Sequence, residues 1–369
     1  MNSIFQLEIE RKLPKWIHAG QPLTIDWQVK NERRLLPCWG IMIADSIRRS
    51  DVPEKKATKV EAVVAQINPG ATAYAPVRTL FNQRGQYQLG PARVSSKFPL
   101  GLTRAWYEDL QHTELIVAPR LGHLTESWTR KLQSATAGLQ ASSRQRGFSQ
   151  DEFYALRPFR SGDSQKLIHW RTSAKHNQPI VKQFDQQTDQ DYAIVLDLWR
   201  PNSDAPEVVE LVELATCFTS TVVSSVQKSV KGNIAIGIFG EQQHVFFERV
   251  SPDFTSAVMR KLALVQPARN NQLAAGLESI QNSIGRSIPI IVISTRSRDQ
   301  AAIEISNQST NGAVDTNRLA SQLQSTIWIE SNSSEFNRMF QLDRPKFDFD
   351  DRGLANSNKT SKQKTVAAV

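Results

Sequence analysis

The spacing of apolar residues changes once along the chain, and this change constrains the fold more than any other feature. Up to about residue 119, apolar and polar residues alternate in short runs bounded by Gly, Pro or Asn, as at 7–12 and 23–31. Beyond about residue 183, continuous Val, Ile and Leu runs alternate with stretches of helical spacing. Alternation is typical of strands with one buried face, whereas continuous runs between helices are typical of a mostly parallel, covered sheet. We therefore expect two domains of different class.

The domain boundaries follow from the same patterns. Residues 1–119 are predicted to form an all-β sandwich of immunoglobulin-like type, because short strands recur at intervals of roughly ten residues between Gly and Pro turns. Residues 120–150 are rich in Ser, Gln and Ala without an apolar stripe, and are interpreted as a linker or short helix. Residues 151–342 are predicted to comprise a distinctive segment and a doubly wound α/β domain. The polar, aperiodic stretch 343–369 is expected to be a disordered tail.

Length and composition restrict the class of protein. A chain of 369 residues suits two domains. Its longest strongly apolar run, 288–293, is far too short to cross a bilayer, and its first residues have no apolar stretch typical of a secretory signal. Its two cysteines, Cys38 and Cys217, fall in different predicted domains, so no structural disulfide is expected. We expect a cytoplasmic protein, with membrane association as the alternative.

The positive charge is concentrated in the first part of the chain. Residues 1–150 hold 21 Lys or Arg against 12 Asp or Glu, whereas the remaining residues hold 24 of each, which accounts for the net charge of +9. A basic face there could lie near an anionic membrane surface or meet an acidic partner. The alternative is a scattered basic surface that aids solubility. Nucleic acid is not an expected partner, because no basic and aromatic motif of a known binding module occurs.

The segment between the two domains, at 147–184, carries an ordered set of acidic, aromatic, Gly-Asp and basic residues. It resembles the signature of the domain of unknown function 58 family. The matching positions are Glu152, Phe153, Leu156, Arg157, Phe159, Gly162, Asp163, Lys166, Ile168, Trp170, Ala174 and Lys175. Phe159 stands where the family usually has Tyr, and Lys166 and Lys175 stand where it has Arg. The resemblance extends over roughly residues 5–330 and implies a von Willebrand factor A-like fold for the α/β domain.

The residues of this segment also suggest a local structure. Asp163 or Ser164 is expected to cap a helix after the turn at Gly162. The apolar residues expected to face inward, with Trp170 mostly buried, are Leu167, Ile168, Trp170 and Ala174. The basic residues expected to cluster beside them are Arg157, Lys166, Arg171 and Lys175. Such a cluster is either an ionic and aromatic clasp between the domains or a docking surface for an acidic partner or a phosphate.

The resemblance raises the question of a divalent metal ion, because von Willebrand factor A-like modules often bind one at the end of their first strand. Asp197 ends the corresponding strand here, but Trp199 and Pro201 occupy the hydroxyl positions. Thr295 stands where a second Asp would be expected. We therefore expect no metal at this position and interpret Asp197 as a strand-end cap or an ion-pair partner. No spacing indicates a nucleotide site, another cofactor or a catalytic set.

The expected function comes from the resemblance. Members of the family are commonly encoded beside MoxR-type AAA+ ATPases, which implies a non-catalytic adaptor in complex assembly or activation. The alternatives are a metal-dependent ligand binder and an enzyme of unknown type. The partner is expected at the loops that follow Asp197, Gly240 and Thr295, through exposed Arg296 and Arg298. Many relatives carry two transmembrane helices before the β domain, so this chain is either a soluble branch or begins downstream of such an anchor.

Overall fold

The computed structural model describes the greater part of both predicted domains. The described residues are 6–53, 57–98, 101, 104–134, 152–160, 165–185, 192–199, 206–229, 233–284, 288–309, 323 and 326–342. The predicted disordered tail at 343–369 lies outside them, as does most of the predicted linker.

The first domain consists of two packed β-sheets. Its strands are β1 (Leu7–Lys12), β2 (Trp16–His18), β3 (Pro22–Asn31), β4 (Cys38–Arg49), β5 (Thr58–Ile67), β6 (Thr72–Leu80), β7 (Gly85–Ser96), β8 (Ala105–Asp109) and β9 (Thr113–Ala118). One sheet has the order β1-β3-β6, and the other has the order β2-β9-β7-β4-β5 with β8 paired to β7. The β-rich fold predicted for this region is confirmed.

The alternating pattern of the sequence is what buries one face of each sheet. Along β3, the side chains of Leu23, Ile25, Trp27 and Val29 are buried while the residues between them face outward. Ile41 and Ile43 on β4 belong to the same apolar core, which therefore lies between the two sheets. Because side chains on a strand alternate between faces, one apolar row along each strand faces the other sheet, and these rows together form the core.

The second domain is built on a five-stranded sheet. Its strands are β13 (Tyr192–Asp197), β14 (Asn233–Phe239), β15 (Gln243–Arg249), β16 (Ile290–Ser294) and β17 (Ile327–Glu330), in the order β15-β14-β13-β16-β17. Only the pairing of β14 with β15 is antiparallel; the other pairs are parallel. Every residue of β13 is buried, as expected for a central strand with helices on both faces.

Helices cover both faces of this sheet. They are α3 (Pro206–Ser229), α4 (Pro252–Leu264), α5 (Leu273–Ile284), α6 (Arg298–Ser309) and α7 (Ser334–Met339). One apolar core joins α3 and α4 to one face through residues such as Phe218 and Val258, and the other joins α5 and α6 to the opposite face through Leu277 and Ala301. The carboxyl ends of β13 and β16 therefore lie between two layers of helices.

Helix α3 is the one described helix that is long and apolar enough to cross a membrane by length and composition, over Pro206–Gln227. More than half of that stretch is buried within the protein. Its buried hydroxyls bond to carbonyls of the preceding turn, as Thr216 Oγ1 does to Val212 O at 2.7 Å and Thr219 Oγ1 to Ala215 O at 2.9 Å. The helix therefore packs in this structure as a core element of the second domain.

Residues 120–134 pack against the second domain. Strand β10 (His123–Leu124) pairs with β18 (Phe340–Gln341), and helix α1 follows at 126–134. Trp128 on α1 meets Phe218 of α3 edge to face, with ring centroids 5.3 Å apart. This described part of the predicted linker thus forms a short helix and contributes to a core; the rest of 120–150 lies outside the described residues.

Candidate functional site

The segment that carries the signature forms a separate small unit. Strand β11 (Glu152–Pro158) pairs antiparallel with β12 (Ile180–Asp185), and the short helix α2 (Trp170–His176) lies between them in sequence. Strands β11 and β12 form a two-stranded sheet, which Ile168 joins through a single antiparallel bridge to Val181. We call this unit, residues 152–185, the signature hairpin.

Helix α2 is fixed to the start of β12 by a set of polar contacts. The His169 side chain caps the helix, with Nδ1 accepting from Thr172 N at 3.3 Å. The buried Ser173 hydroxyl accepts from Ile180 N at 2.9 Å, and His169 N donates to Ile180 O at 2.8 Å. Asn177 ends the helix in the left-handed region with a φ of 46°, a conformation that Asn adopts more readily than most residues. The outward face of α2 is therefore held in one orientation.

The prediction that Trp170 is mostly buried is wrong. Its side chain is 71% exposed, and Ala174 on the same helix is exposed too. The helix begins only at Trp170, so Leu167 and Ile168 precede it and the helical spacing does not extend back to them. The side chain that faces inward is that of Ser173, because its hydroxyl bonds to the backbone of Ile180.

The predicted basic cluster is partly assembled. Arg171 and Lys175 are both exposed on α2, four residues apart and hence on one face. Arg157 lies on β11 opposite Val181 and donates from Nη1 to Pro158 O at 3.1 Å. Asp163 and the side chain of Lys166 lie outside what the structure describes. Three exposed side chains of this short helix, those of Trp170, Arg171 and Lys175, are together called the α2 face.

A second polar cluster lies at the carboxyl ends of the parallel strands. Asp197 ends β13 and Ser294 ends the neighbouring β16, so both reach the same edge of the sheet. Ser294 Oγ donates to Asp197 Oδ2 at 2.8 Å. Arg296 Nε donates to the same oxygen at 3.0 Å, and Arg296 Nη2 approaches Asp197 Oδ1 at 3.4 Å. The interpretation of Asp197 as an ion-pair partner is confirmed.

Arg296 was expected to be exposed, and that prediction is wrong. Its side chain is 1% exposed and is enclosed by polar partners. Nη2 donates to Asn271 Oδ1 at 2.7 Å, Nη1 donates to Glu304 Oε2 at 3.4 Å, and the guanidinium carbon lies 4.9 Å from the centre of the Trp199 ring. The physical reason is Asp197: a buried carboxylate is strongly disfavoured unless a cation and hydrogen-bond donors accompany it.

Arg298, also expected to be exposed, is only half-buried and is already engaged. Its Nη2 donates to Thr326 O at 2.8 Å, next to β17. This bond ties the start of α6 to the neighbouring strand. The loop after β16 therefore uses both of its arginines within the domain, and neither extends freely toward a partner.

The strand-end residues do not fit a divalent metal ion. Both carboxylate oxygens of Asp197 face the Arg296 guanidinium, the Thr295 hydroxyl donates to Trp199 O, and Trp199 contributes an indole instead of an oxygen ligand. Burial raises the pKa of the Asp197 carboxyl, and the Arg296 charge and the Ser294 hydroxyl oppose this rise. Within the described residues, no three His, Cys, Asp or Glu side chains come together as a metal site.

A cavity of about 610 Å³ lies between the two domains. Arg49, Arg84 and Gly85 of the first domain line it, together with Glu213 and Cys217 of α3. Arg84 crosses the boundary, since its Nη2 donates to Val265 O at 2.9 Å and lies 3.2 Å from Glu213 Oε1.

Burial, followed by the charge of Glu213, raises the pKa of the Cys217 thiol to about 12. That thiol is protonated at neutral pH and is a poor nucleophile.

The partner of Asp197 is the feature that the sequence interpretation missed. A signal was present, because Asp197 and Arg296 each follow a buried apolar run and parallel strands end at one edge of a sheet. The exposure of Trp170 had no comparable signal, because it depends on where a seven-residue helix begins.

Comparisons with solved structures give only weak similarities. The CARDB domain of the PF1109 protein from Pyrococcus furiosus is 13% identical, with a TM-score of 0.20 over 30% of this chain and 93% of that one. Spo0M, a sporulation control protein from Bacillus subtilis, is 13% identical, with a TM-score of 0.19 over 42% and 58%. The alkylpurine DNA glycosylase AlkC from Pseudomonas fluorescens is 12% identical, with a TM-score of 0.22, and the matched part spans 30% of each chain. Similarities of this size carry no argument about the present chain.

No curated protein matches the chain. Residues 155–310 match the family model described as protein of unknown function DUF58. The matched stretch includes most of the signature hairpin and runs through α6 of the second domain. The match supports a relationship with this family for that part of the chain.

Proposed function

We propose that this protein is a non-catalytic adaptor that binds a protein partner through the α2 face. The observation that carries the proposal is the exposure of Trp170. This large aromatic side chain is exposed to solvent on a helix that also exposes two cations. Trp and Arg are the residue types that most often dominate the binding energy of protein interfaces. The α2 face thus has the composition of a binding hot spot.

The local energetics point in the same direction. Arg171 and Lys175 are like charges at helical spacing, which disfavours the helix by a few tenths of a kcal/mol. Helix α2 has no acidic side chain of its own to pair with them. The bonds from Ser173 and His169 to Ile180 fix the face before any partner arrives, which lowers the entropy lost on binding. A rigid, basic and aromatic face is complementary to an acidic surface with an apolar pocket.

The partner class follows from the resemblance to the domain of unknown function 58 family. We propose an AAA+ ATPase of MoxR type, with the protein acting in the assembly or activation of other complexes. A von Willebrand factor A-like assignment for the second domain belongs to this proposal; the mostly parallel sheet with helices on both faces supports it.

A non-catalytic role is supported by the state of the two groups best placed to react. Asp197 is held by Ser294 and Arg296 and has no carboxylate oxygen directed away from the guanidinium. The Cys217 thiol is buried, with a pKa raised to about 12. Neither arrangement provides a nucleophile with a base and an orienting group.

The proposal is tested by measuring the affinity of the full chain for a purified MoxR-type ATPase from the same organism. Trp170→Ala should weaken binding roughly 30-fold, the loss typical of a hot spot of about 2 kcal/mol. The double variant Arg171→Glu/Lys175→Glu should weaken binding as well and should reduce its dependence on salt. Stability should change by no more than about 0.5 kcal/mol in Trp170→Ala, because the side chain is exposed.

Trp106→Ala is the matched control, since Trp106 is another exposed Trp, on β8 of the first domain. It should bind the ATPase as the wild type does. Wild-type protein that fails to bind the ATPase would refute the partner assignment. Binding that survives all changes to the α2 face would refute the docking site.

A further inference from the structure

The β-sandwich has one end that lies far from the second domain. Strand β4 runs from Cys38 to Arg49, and β7 runs antiparallel to it from Gly85 to Ser96. Arg49 and Gly85 line the cavity between the domains, so Cys38 and Ser96 mark the opposite end. The eleven steps between Cys38 and Arg49, at about 3.3 Å each, put that end roughly 36 Å from the cavity. We call it the distal tip and define it by residues 32–39, 97, 98 and 104.

The distal tip exposes a group of large apolar side chains. Leu35 is 88% exposed and Leu36 is 54% exposed, in the loop that precedes β4. Trp39 and Phe98 are also exposed and stack on each other, with ring centroids 5.6 Å apart. Contiguous exposed apolar groups of this kind mark interaction sites more often than isolated exposed residues do.

The exposure is imposed by a well-bonded loop. Asn31 is fully buried, and its Nδ2 donates to Leu36 O at 3.0 Å and to Ile67 O at 3.1 Å. Its Oδ1 accepts from Arg33 N at 3.1 Å, and Gly70 N donates to Arg33 O at 3.0 Å. The loop backbone is thus tied to the end of the sandwich at both sides of Leu35. The two leucines are therefore exposed on a loop whose backbone is held in place by these bonds.

The charges of the distal tip are mainly positive. Arg33, Arg34, Lys97 and Arg104 supply four cations. Its one acid is Glu32, whose carboxylate lies 3.4 Å from Lys30 Nζ, an ammonium that Glu8 shares at 3.1 Å. No histidine lies in the tip, so its charge is constant around neutral pH. An apolar apex with cations around it is complementary to a membrane whose headgroups are anionic.

We propose that the distal tip binds the surface of an anionic membrane, with Leu35, Leu36 and the Trp39–Phe98 pair entering the interfacial region and the four cations contacting lipid phosphates and carboxylates. Four cations among exposed apolar side chains favour an anionic lipid surface over a protein partner, because lipids rearrange around such side chains whereas a folded protein would need a matching pocket. The proposal is independent of the α2 face, which lies on the signature hairpin at 152–185.

The test is flotation of the full chain with vesicles of phosphatidylcholine, with and without phosphatidylserine. Wild-type protein should float only with the vesicles that contain phosphatidylserine. Leu35→Glu/Leu36→Glu should lower the partition coefficient at least tenfold. Arg34→Glu/Lys97→Glu should lower it by about fivefold for each cation lost, as expected near an anionic surface, and further for the charges introduced.

Ile303→Glu is the matched control, because Ile303 is an exposed apolar residue on α6 of the second domain. It should float as the wild type does. The proposal would be overturned if the wild type does not bind phosphatidylserine vesicles, or if Leu35→Glu/Leu36→Glu binds them unchanged. It would also be overturned if sedimentation velocity shows that the tip instead joins two copies of the chain and that vesicles do not compete with this association.

Discussion

Each domain contains a buried Arg–Asp pair with a Trp ring against the guanidinium, and the two pairs differ in geometry. In the first domain, Arg11 donates to both Asp45 oxygens at 2.9 Å, from Nε and Nη2, and its guanidinium carbon lies 4.7 Å from the centre of the Trp27 ring. In the second domain, the corresponding distances from Arg296 to Asp197 are 3.0 and 3.4 Å. The first pair is symmetric and bidentate, whereas the second is uneven.

The partners of the two arginines explain this difference. Arg11 lies on β1 and Asp45 on β4, so their pair joins the two sheets of the sandwich, and Arg11 also donates to Thr113 Oγ1 at 2.8 Å. Arg296 divides its donors among Asp197, Asn271 and Glu304 at the carboxyl edge of a parallel sheet. Such edges are where open α/β sheets usually bind ligands. The first pair therefore joins the two sheets of the sandwich. In the second pair, the Arg296 side chain lies at the sheet edge where open α/β folds usually bind a ligand.

Both carboxylates are poorly hydrated. Burial raises the pKa of Asp45 and of Asp197, and in each case the neighbouring guanidinium opposes the rise. A buried pair of this kind contributes little net stability compared with apolar residues of the same shape, but removing one partner leaves an uncompensated charge. Replacing each arginine in turn therefore measures how much each carboxylate depends on its guanidinium.

The largest effect is expected from Arg11→Met. This change leaves Asp45 buried without its bidentate partner and should lower the free energy of unfolding by about 3–5 kcal/mol. The double variant Arg11→Met/Asp45→Leu removes both charges and should recover most of that loss. Urea unfolding followed by Trp fluorescence measures both. If Arg11→Met were as stable as the wild type, the Arg11–Asp45 pair would not be what joins the two sheets.

A smaller loss, about 2–3 kcal/mol, is expected from Arg296→Met, because the Ser294 hydroxyl still donates to Asp197. The loss should also depend on pH. In the wild type the Arg296 charge opposes the rise of the Asp197 pKa, so its removal raises that pKa further, and the folded variant gains a proton before the unfolded state does as the pH falls. Stability is then recovered at acidic pH and lost as the pH rises through the folded-state pKa. The variant should thus lie closer to the wild type at pH 5 than at pH 7.

This pH dependence should be absent from Arg296→Met/Asp197→Asn, which carries no titrating group at this position. Equal pH dependence in the two variants would mean that other groups cause it. A loss in Arg296→Met as large as that in Arg11→Met would remove the distinction between the two pairs.

The sequence predicted the elements of the fold better than the surroundings of single side chains. Alternation in β3 and the apolar run of β13 fix which faces are buried, because burial of a whole row depends only on periodicity. Trp170 and Arg296 were both misassigned, one as buried and the other as exposed. Their environments depend on single contacts, of Ser173 with Ile180 seven residues further along and of Arg296 with Asp197 on another strand, which periodicity alone does not encode.

We infer that the Arg296 guanidinium, bound to both oxygens of Asp197, leaves no room there for a divalent ion. Thermal melting with magnesium or manganese at millimolar concentration tests it most directly, because a ligand that binds only the native state must raise the melting temperature once it exceeds its dissociation constant. Neither the wild type nor Asp197→Ala should show a change in melting temperature. A reproducible rise in the wild type that is absent in Asp197→Ala would contradict it.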